Sequence, residues 1–198
     1  MYKIFIAFIA IAIFTMSCKN KKTATQKPVE TTTDTAKGFP IMDLLREDVE
    51  DVKKTPYYLY KKTATGVGEK YKDSVQVSRE DFIKMIAPIL SIKLTDDAGK
   101  NKFREVAFHD LSTQSYSIIT TPIDNNIELK SITTLLNDET NKLKSIFFVM
   151  EKNTADSFIK TTYFWKKEKS LRICKSVECK GKKGIEEKQF INWNDKAE

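Results

Sequence analysis

Residues 143–152 read LKSIFFVMEK. Successive side chains of a strand point to opposite faces, so Ile146, Phe148 and Met150 fall on one face while Phe147 and Val149 fall on the other. A sheet with one wet face alternates apolar with polar residues, and this segment is apolar on both sides. The same doubling occurs at Ile118-Ile119, Leu135-Leu136, Phe158-Ile159 and Phe164-Trp165. The sequence therefore specifies a sheet with two apolar faces, each of which needs cover.

Working outward, strand-like segments fall at 103–109, 115–121, 128–137, 143–152, 157–167, 170–177 and 185–193. The links between them, such as Asp138 to Asn141 and Glu168-Lys169, are short and polar. Parallel neighbours need a crossover of about a dozen residues, so short links predict an antiparallel meander.

Upstream the period changes. Ile41, Leu44, Leu45, Val49 and Val52 recur at helical spacing, which predicts an amphipathic helix over 41–54 that starts after Pro40 and ends before Pro56. Glu47, Asp48, Glu50 and Asp51 lack the loop spacing and glycine of a calcium-binding EF-hand, and they read as a solvated helix face. Tyr57 to Lys62 and Lys70 to Val77 are strand-like, with Thr65-Gly66-Val67-Gly68 as a hairpin turn. Gly66 and Gly68 open like a dinucleotide fingerprint, but Tyr71 stands where its third glycine belongs. Ser78 and Asp81 form a capping box ahead of a second helix through Phe82, Ile86 and Ile89, which Pro88 should bend or restart. The expected class is α+β: two N-terminal helices and a hairpin, followed by an antiparallel β-meander sheet.

Residues 1–17, MYKIFIAFIAIAIFTMS, place Lys3 before an apolar run from Ile4 to Phe14, which is the order of a secretory signal. The run is shorter than the ~20 apolar residues of a membrane span. Thr15-Met16-Ser17-Cys18 resembles the lipobox of bacterial lipoproteins, and that resemblance implies lipidation of Cys18. The alternative is ordinary cleavage nearby, with Cys18 left as a thiol. Residues 18–40 are rich in Lys and Thr and nearly devoid of large apolar side chains, so they read as a flexible tether to a single domain over 41–198. In lipoproteins an acidic run after the cysteine accompanies surface display in some bacteria. Here Lys19, Lys21 and Lys22 take that place, which points to the outer membrane and a periplasm-facing domain.

The net charge of +7 is concentrated in the tether and after residue 128. Export argues against nucleic acid as the partner, and the lysines beside Cys18 suit anionic headgroups or simple solvation. The expected partners are the membrane, through lipidated Cys18, and an envelope protein or lipid.

Catalytic chemistry finds little support. His109, the only histidine, is followed by Asp110 on the opposite side of its strand, and no Gly-x-Ser-x-Gly elbow occurs. Neither an enzyme nor a cofactor is expected, and one histidine with Cys174 and Cys179 is too small a set for zinc. An oxidising envelope favours a disulfide between Cys174 and Cys179. On one continuous strand, however, they would stand about 16 Å apart, beyond the ~7 Å that a disulfide spans between Cα atoms. The bond thus requires the strand to end near Ser176 and the chain to turn back; two free thiols are the other outcome.

The stretches DVKKTPYYLYKK (51–62), REDFIKMIAPIL (79–90), FREVAFHDLSTQSYS (103–117), LKSIFF (143–148), YFWKKEKSLRI (163–173) and INWN (191–194) resemble a family of small exported bacterial proteins, many of them lipoproteins. The resemblance implies one compact domain and brings no activity or site residues.

Function then turns on the second apolar face. The sheet can curl and close that face on itself or under loops, keep a groove for a lipid or acyl chain, or present a patch to a protein. Phe147, Val149, Phe164 and Trp165 are the residues marked as a binding face. The expected function is binding or scaffolding by a lipid-anchored envelope protein; the alternative is a carrier or sensor of a hydrophobic ligand in a sheet groove, with hydrolysis a distant third.

Overall fold

The strand-like segments after residue 102 become seven consecutive strands, joined by turns short enough to force antiparallel pairing. The computed structural model describes residues 38–66, 68–72, 74–94, 102–110, 114–180 and 184–194. The signal segment, Cys18 and nearly all of the tether lie outside the described residues. In chain order the elements are α1 (Ile41–Lys54), β1 (Tyr60–Thr65), β2 (Val75–Gln76), α2 (Arg79–Leu90), β3 (Phe103–Asp110), β4 (Ser115–Pro122), β5 (Leu129–Asn137), β6 (Leu143–Asn153), β7 (Ser157–Lys166), β8 (Ser170–Cys179) and β9 (Ile185–Asn192).

All nine strands belong to one antiparallel sheet, in the order β2-β1-β9-β8-β7-β6-β5-β4-β3. This corrects the α+β expectation. The fold is predominantly β, and the early strands form no separate hairpin. β1 pairs with β9 along six residues, from Tyr60↔Asn192 to Thr65↔Glu187, whereas β2 adds only two pairs, Tyr60↔Gln76 and Lys61↔Val75. The segment between β1 and β2 leaves through Gly66 and Gly68, both at positive φ (111° and 78°), a conformation that glycine adopts without a Cβ clash.

Register shows which face is which, because directly paired antiparallel residues share a face. Ile191, Leu171, Trp165, Ile146, Thr134 and Ile118 lie opposite one another from β9 to β4, and all six are buried. On this face α1 contributes Ile41, Leu45, Val49 and Val52, and α2 contributes Phe82, Ile86 and Ile89, to a single core. Phe82, Trp165 and Trp193 form an aromatic cluster with ring centroids 5.1–6.1 Å apart. Ser78 Oγ accepts the Asp81 amide at 3.1 Å and caps α2. Pro88 does not interrupt that helix, which continues to Leu90, although without an N–H it cannot donate the usual bond to the carbonyl four residues back.

Asp48 departs from the solvated face assigned to it. It is buried, with Oδ2 accepting hydrogen bonds from the Trp165 indole N–H and from the Glu168 amide, the latter at 3.2 Å. Burial raises its pKa above the ordinary value, against the pull of these two hydrogen bonds. The other acids of α1 behave as expected of a wet face: Glu50 pairs with Lys53 at 2.6 Å, and Asp51 accepts from Thr55 Oγ1 at 2.8 Å and Tyr57 OH at 3.1 Å.

Cys174 and Cys179 are free thiols, which corrects the expected disulfide. β8 does not turn back at Ser176 but pairs with β7 from Ser170↔Lys166 to Cys179↔Ser157. Five residues of continuous strand separate the two Cα atoms by about 16 Å and place the side chains on opposite faces. Alkylation under non-reducing denaturation is expected to add two groups across these positions, and reductant is expected to leave the melting temperature unchanged. A mass unaltered at both would show that they are bonded.

Candidate functional site

The face opposite the helices carries the site. Across its middle, Phe147 of β6 pairs with Phe164 of β7 on one side and with Thr133 of β5 on the other, and Thr133 pairs with Ile119 of β4. The Phe147 and Phe164 rings lie 6.4 Å apart at 56°. Val149 stands two residues along β6 and Leu135 two along β5. These side chains are half-buried, and none belongs to the core cluster that the helices complete. Among the described residues, no helix packs on them. Val106 extends the row to the edge strand β3, paired with Ile119 and 36% exposed.

Three of the four expected binding-face residues thus share this surface: Phe147, Val149 and Phe164. Trp165 does not, because strand parity turns it away. It pairs with Ile146, is 0% exposed, and gives its indole N–H to Asp48 inside the core.

Toward β9 and β1 the same transverse row changes chemistry. Phe164 pairs with Arg172 of β8, Arg172 with Phe190 of β9, and Phe190 with Lys62 of β1. The segment after Gly66 folds back over this end, held by the Lys72 amide on the Thr63 carbonyl at 2.9 Å, and sets Tyr71 against Phe190 with centroids 6.3 Å apart. Together Lys62, Tyr71, Lys72, Ser74, Arg172 and Phe190 enclose an open cavity of about 470 Å³. Among the described residues, Lys62, Lys72 and Arg172 form no ion pair, whereas many other surface lysines are matched, as Lys152 is with Glu128 at 2.9 Å and Lys188 with Glu186 at 3.1 Å.

Comparison with protein-family models and with curated proteins gives no match. Among solved structures, the chain is similar to the S-type phycobiliprotein lyase from Guillardia theta. The two share 10% identity, with 78% of this chain and 94% of that chain covered, at a TM-score of 0.25, a likeness below the level of a shared fold.

A second cavity, about 440 Å³, opens beside α1 and is lined by Glu47, Asp48, Asp51, Tyr57 and Glu168 among others. Its acids are committed to structural bonds through Asp48 and Asp51, and no group of three or more metal-ligating side chains occurs among the described residues. His109 is partly exposed, with Nε2 3.4 Å from Asp138 Oδ2 on the turn after β5.

Sequence reading missed the cationic end of this row. Lys62, Tyr71, Arg172 and Phe190 are far apart in the chain and meet only through the β1–β9 ladder. Parity places Arg172 on the Phe164 face only once the β7–β8 register is known.

Proposed function

We propose that this protein is a lipid-anchored envelope protein that carries or senses a hydrophobic ligand, held against the sheet face opposite the helices. The observation that carries the reading is the row of half-buried apolar side chains, Ile119, Phe147 and Phe164 with Leu135 and Val149 beside them, left outside the core by a sheet whose helices, among the described residues, cover the other face. Each methylene moved from water onto such a surface contributes up to about 0.8 kcal/mol, so an acyl chain lying across several strands gains a useful affinity. The row from Arg172 to Ile119 spans four strand spacings, about 19 Å, a length suited to an extended acyl chain. Anchoring rests on the signal-like residues 1–17 and on Cys18. It would keep the binding face within tether reach of a bilayer, the source or destination of such a ligand. Action without catalysis is part of the same proposal.

Native mass spectrometry of the full chain carrying Cys18→Ser, exported and purified without detergent, tests the reading. Excess mass equal to an acyl-chain compound is expected on the otherwise unaltered chain, and Phe147→Asp, which places a charge mid-row, is expected to abolish it. A ligand-free monomer that also fails to take up added oleate would overturn the carrier. A ligand-free dimer would turn the face into a protein interface.

A further inference from the structure

We infer that the cavity beneath Tyr71 is a headgroup site, and that the ligand is an anionic amphiphile whose carboxylate or phosphate sits between Lys62, Lys72 and Arg172 while its chain runs along Phe164 and Phe147. This rests on the carrier reading and specifies its ligand class.

Lys62 and Arg172 flank Phe190 in direct register on adjacent strands, so their backbones stand two strand spacings apart, about 10 Å. That gap is wide enough for an anionic head and narrow enough for two long cationic side chains to converge on it. Tyr71 and Phe190 supply an apolar wall to the same space, and Lys72 supplies a third cation from the covering segment. The sequence puts one carboxylate, Asp73, beside Lys72, so the cations remain in excess. Lys62, Lys72 and Arg172 line one open cavity without a carboxylate partner among the described residues, and a cavity lined by one sign of charge favours an ion of the other. A free anion alone would leave the adjoining apolar row unused, because Arg172 is paired across the strands with Phe164, and Phe164 with Phe147. The cavity and the row are therefore consecutive parts of one surface, polar at one end and apolar along its length. That is the shape of a single-chain amphiphile with a charged head.

The test titrates the full chain carrying Cys18→Ser, exported and detergent-free, with three probes: oleate, oleyl alcohol of the same chain length, and inorganic phosphate. Binding is read by Trp fluorescence or by native mass spectrometry. Oleate is expected to bind at least about tenfold tighter than the alcohol, with an affinity that weakens as salt rises. Lys62→Gln with Arg172→Gln is expected to shrink that gap to less than about threefold while leaving alcohol binding unchanged. Circular dichroism melting checks that the variant is folded, which the solvent exposure of both side chains favours. Equal binding of oleate and alcohol to the wild-type protein would overturn the headgroup site and leave the carrier standing. Failure of both long-chain probes would overturn the carrier itself, and the headgroup site with it. Phosphate binding as tight as oleate would mean that the site takes free anions, against the amphiphile.

Discussion

Phe148→Ala is expected to cost about 3–5 kcal/mol of stability, whereas Phe147→Ala, one residue earlier, should cost only about 1 kcal/mol. The two side chains are chemically identical and adjacent, and they differ in what the fold does with the faces they point to. Phe148 is 0% exposed within the core that α1 and α2 complete, so its removal leaves a cavity walled by residues held in place from both layers. Phe147 is half-buried beside Phe164, outside that core, and its truncation forfeits only part of a side chain's transfer free energy. Urea denaturation followed by far-UV circular dichroism measures both. Equal losses would mean that the second face is as tightly packed as the first, and the space reserved there for a ligand would vanish.

Asp48→Ala is the second large effect, expected at about 2–4 kcal/mol. The substitution leaves the buried Trp165 indole N–H and the Glu168 amide without their acceptor, and each such loss costs about 1–3 kcal/mol. Relief of the desolvated charge offsets part of it. Asp48→Asn should behave differently, since an amide oxygen can still accept both bonds and carries no charge. The second carboxylate oxygen, Oδ1, is buried and has no hydrogen-bond partner, so the amide nitrogen that replaces it is an unpaired buried donor whose cost does not vary with pH. The pH dependence follows from the raised pKa of Asp48. A group that binds its proton more tightly when folded contributes stability below its unfolded pKa, near 3.8. That contribution is lost as pH rises through the folded value. The melting temperature of Asp48→Asn relative to the wild type should therefore climb from about pH 4 to pH 7. If the wild type instead gains on the variant over that range, the carboxylate is favoured in its ionised form and the assignment fails.

Local pattern made much of the sheet legible. Strand segments after residue 102 were marked by short runs of apolar and β-branched residues such as SIFFVM, and their antiparallel order by links too short for a crossover. The fold class was not legible in the same way. The sequence showed a glycine turn after Thr65, but β1 pairs mainly with β9, more than 100 residues away, and with β2 at only two positions. No neighbouring residue encodes that pairing, and it converts an expected hairpin into part of the main sheet. Burial of Asp48 was hidden for a related reason. A carboxylate in a run of acids on an amphipathic helix looks solvated until an indole 117 residues away is placed against it.

The candidate site divides along the same line. By itself the sequence determined that the sheet is apolar on both faces and that Phe147 and Val149 share a face, because alternation along an extended chain is a property of the backbone alone. Only the tertiary structure decided which face became the core and which stayed open, that Trp165 went inward while Phe164 stayed out, and that Lys62, Lys72 and Arg172 meet at one end of the open face. In β6 the two faces are alike in local sequence, so nothing within that strand tells them apart. The choice belongs to the helices, which bury one face against themselves, and to the β1–β9 ladder, which carries distant cations to the edge of the other.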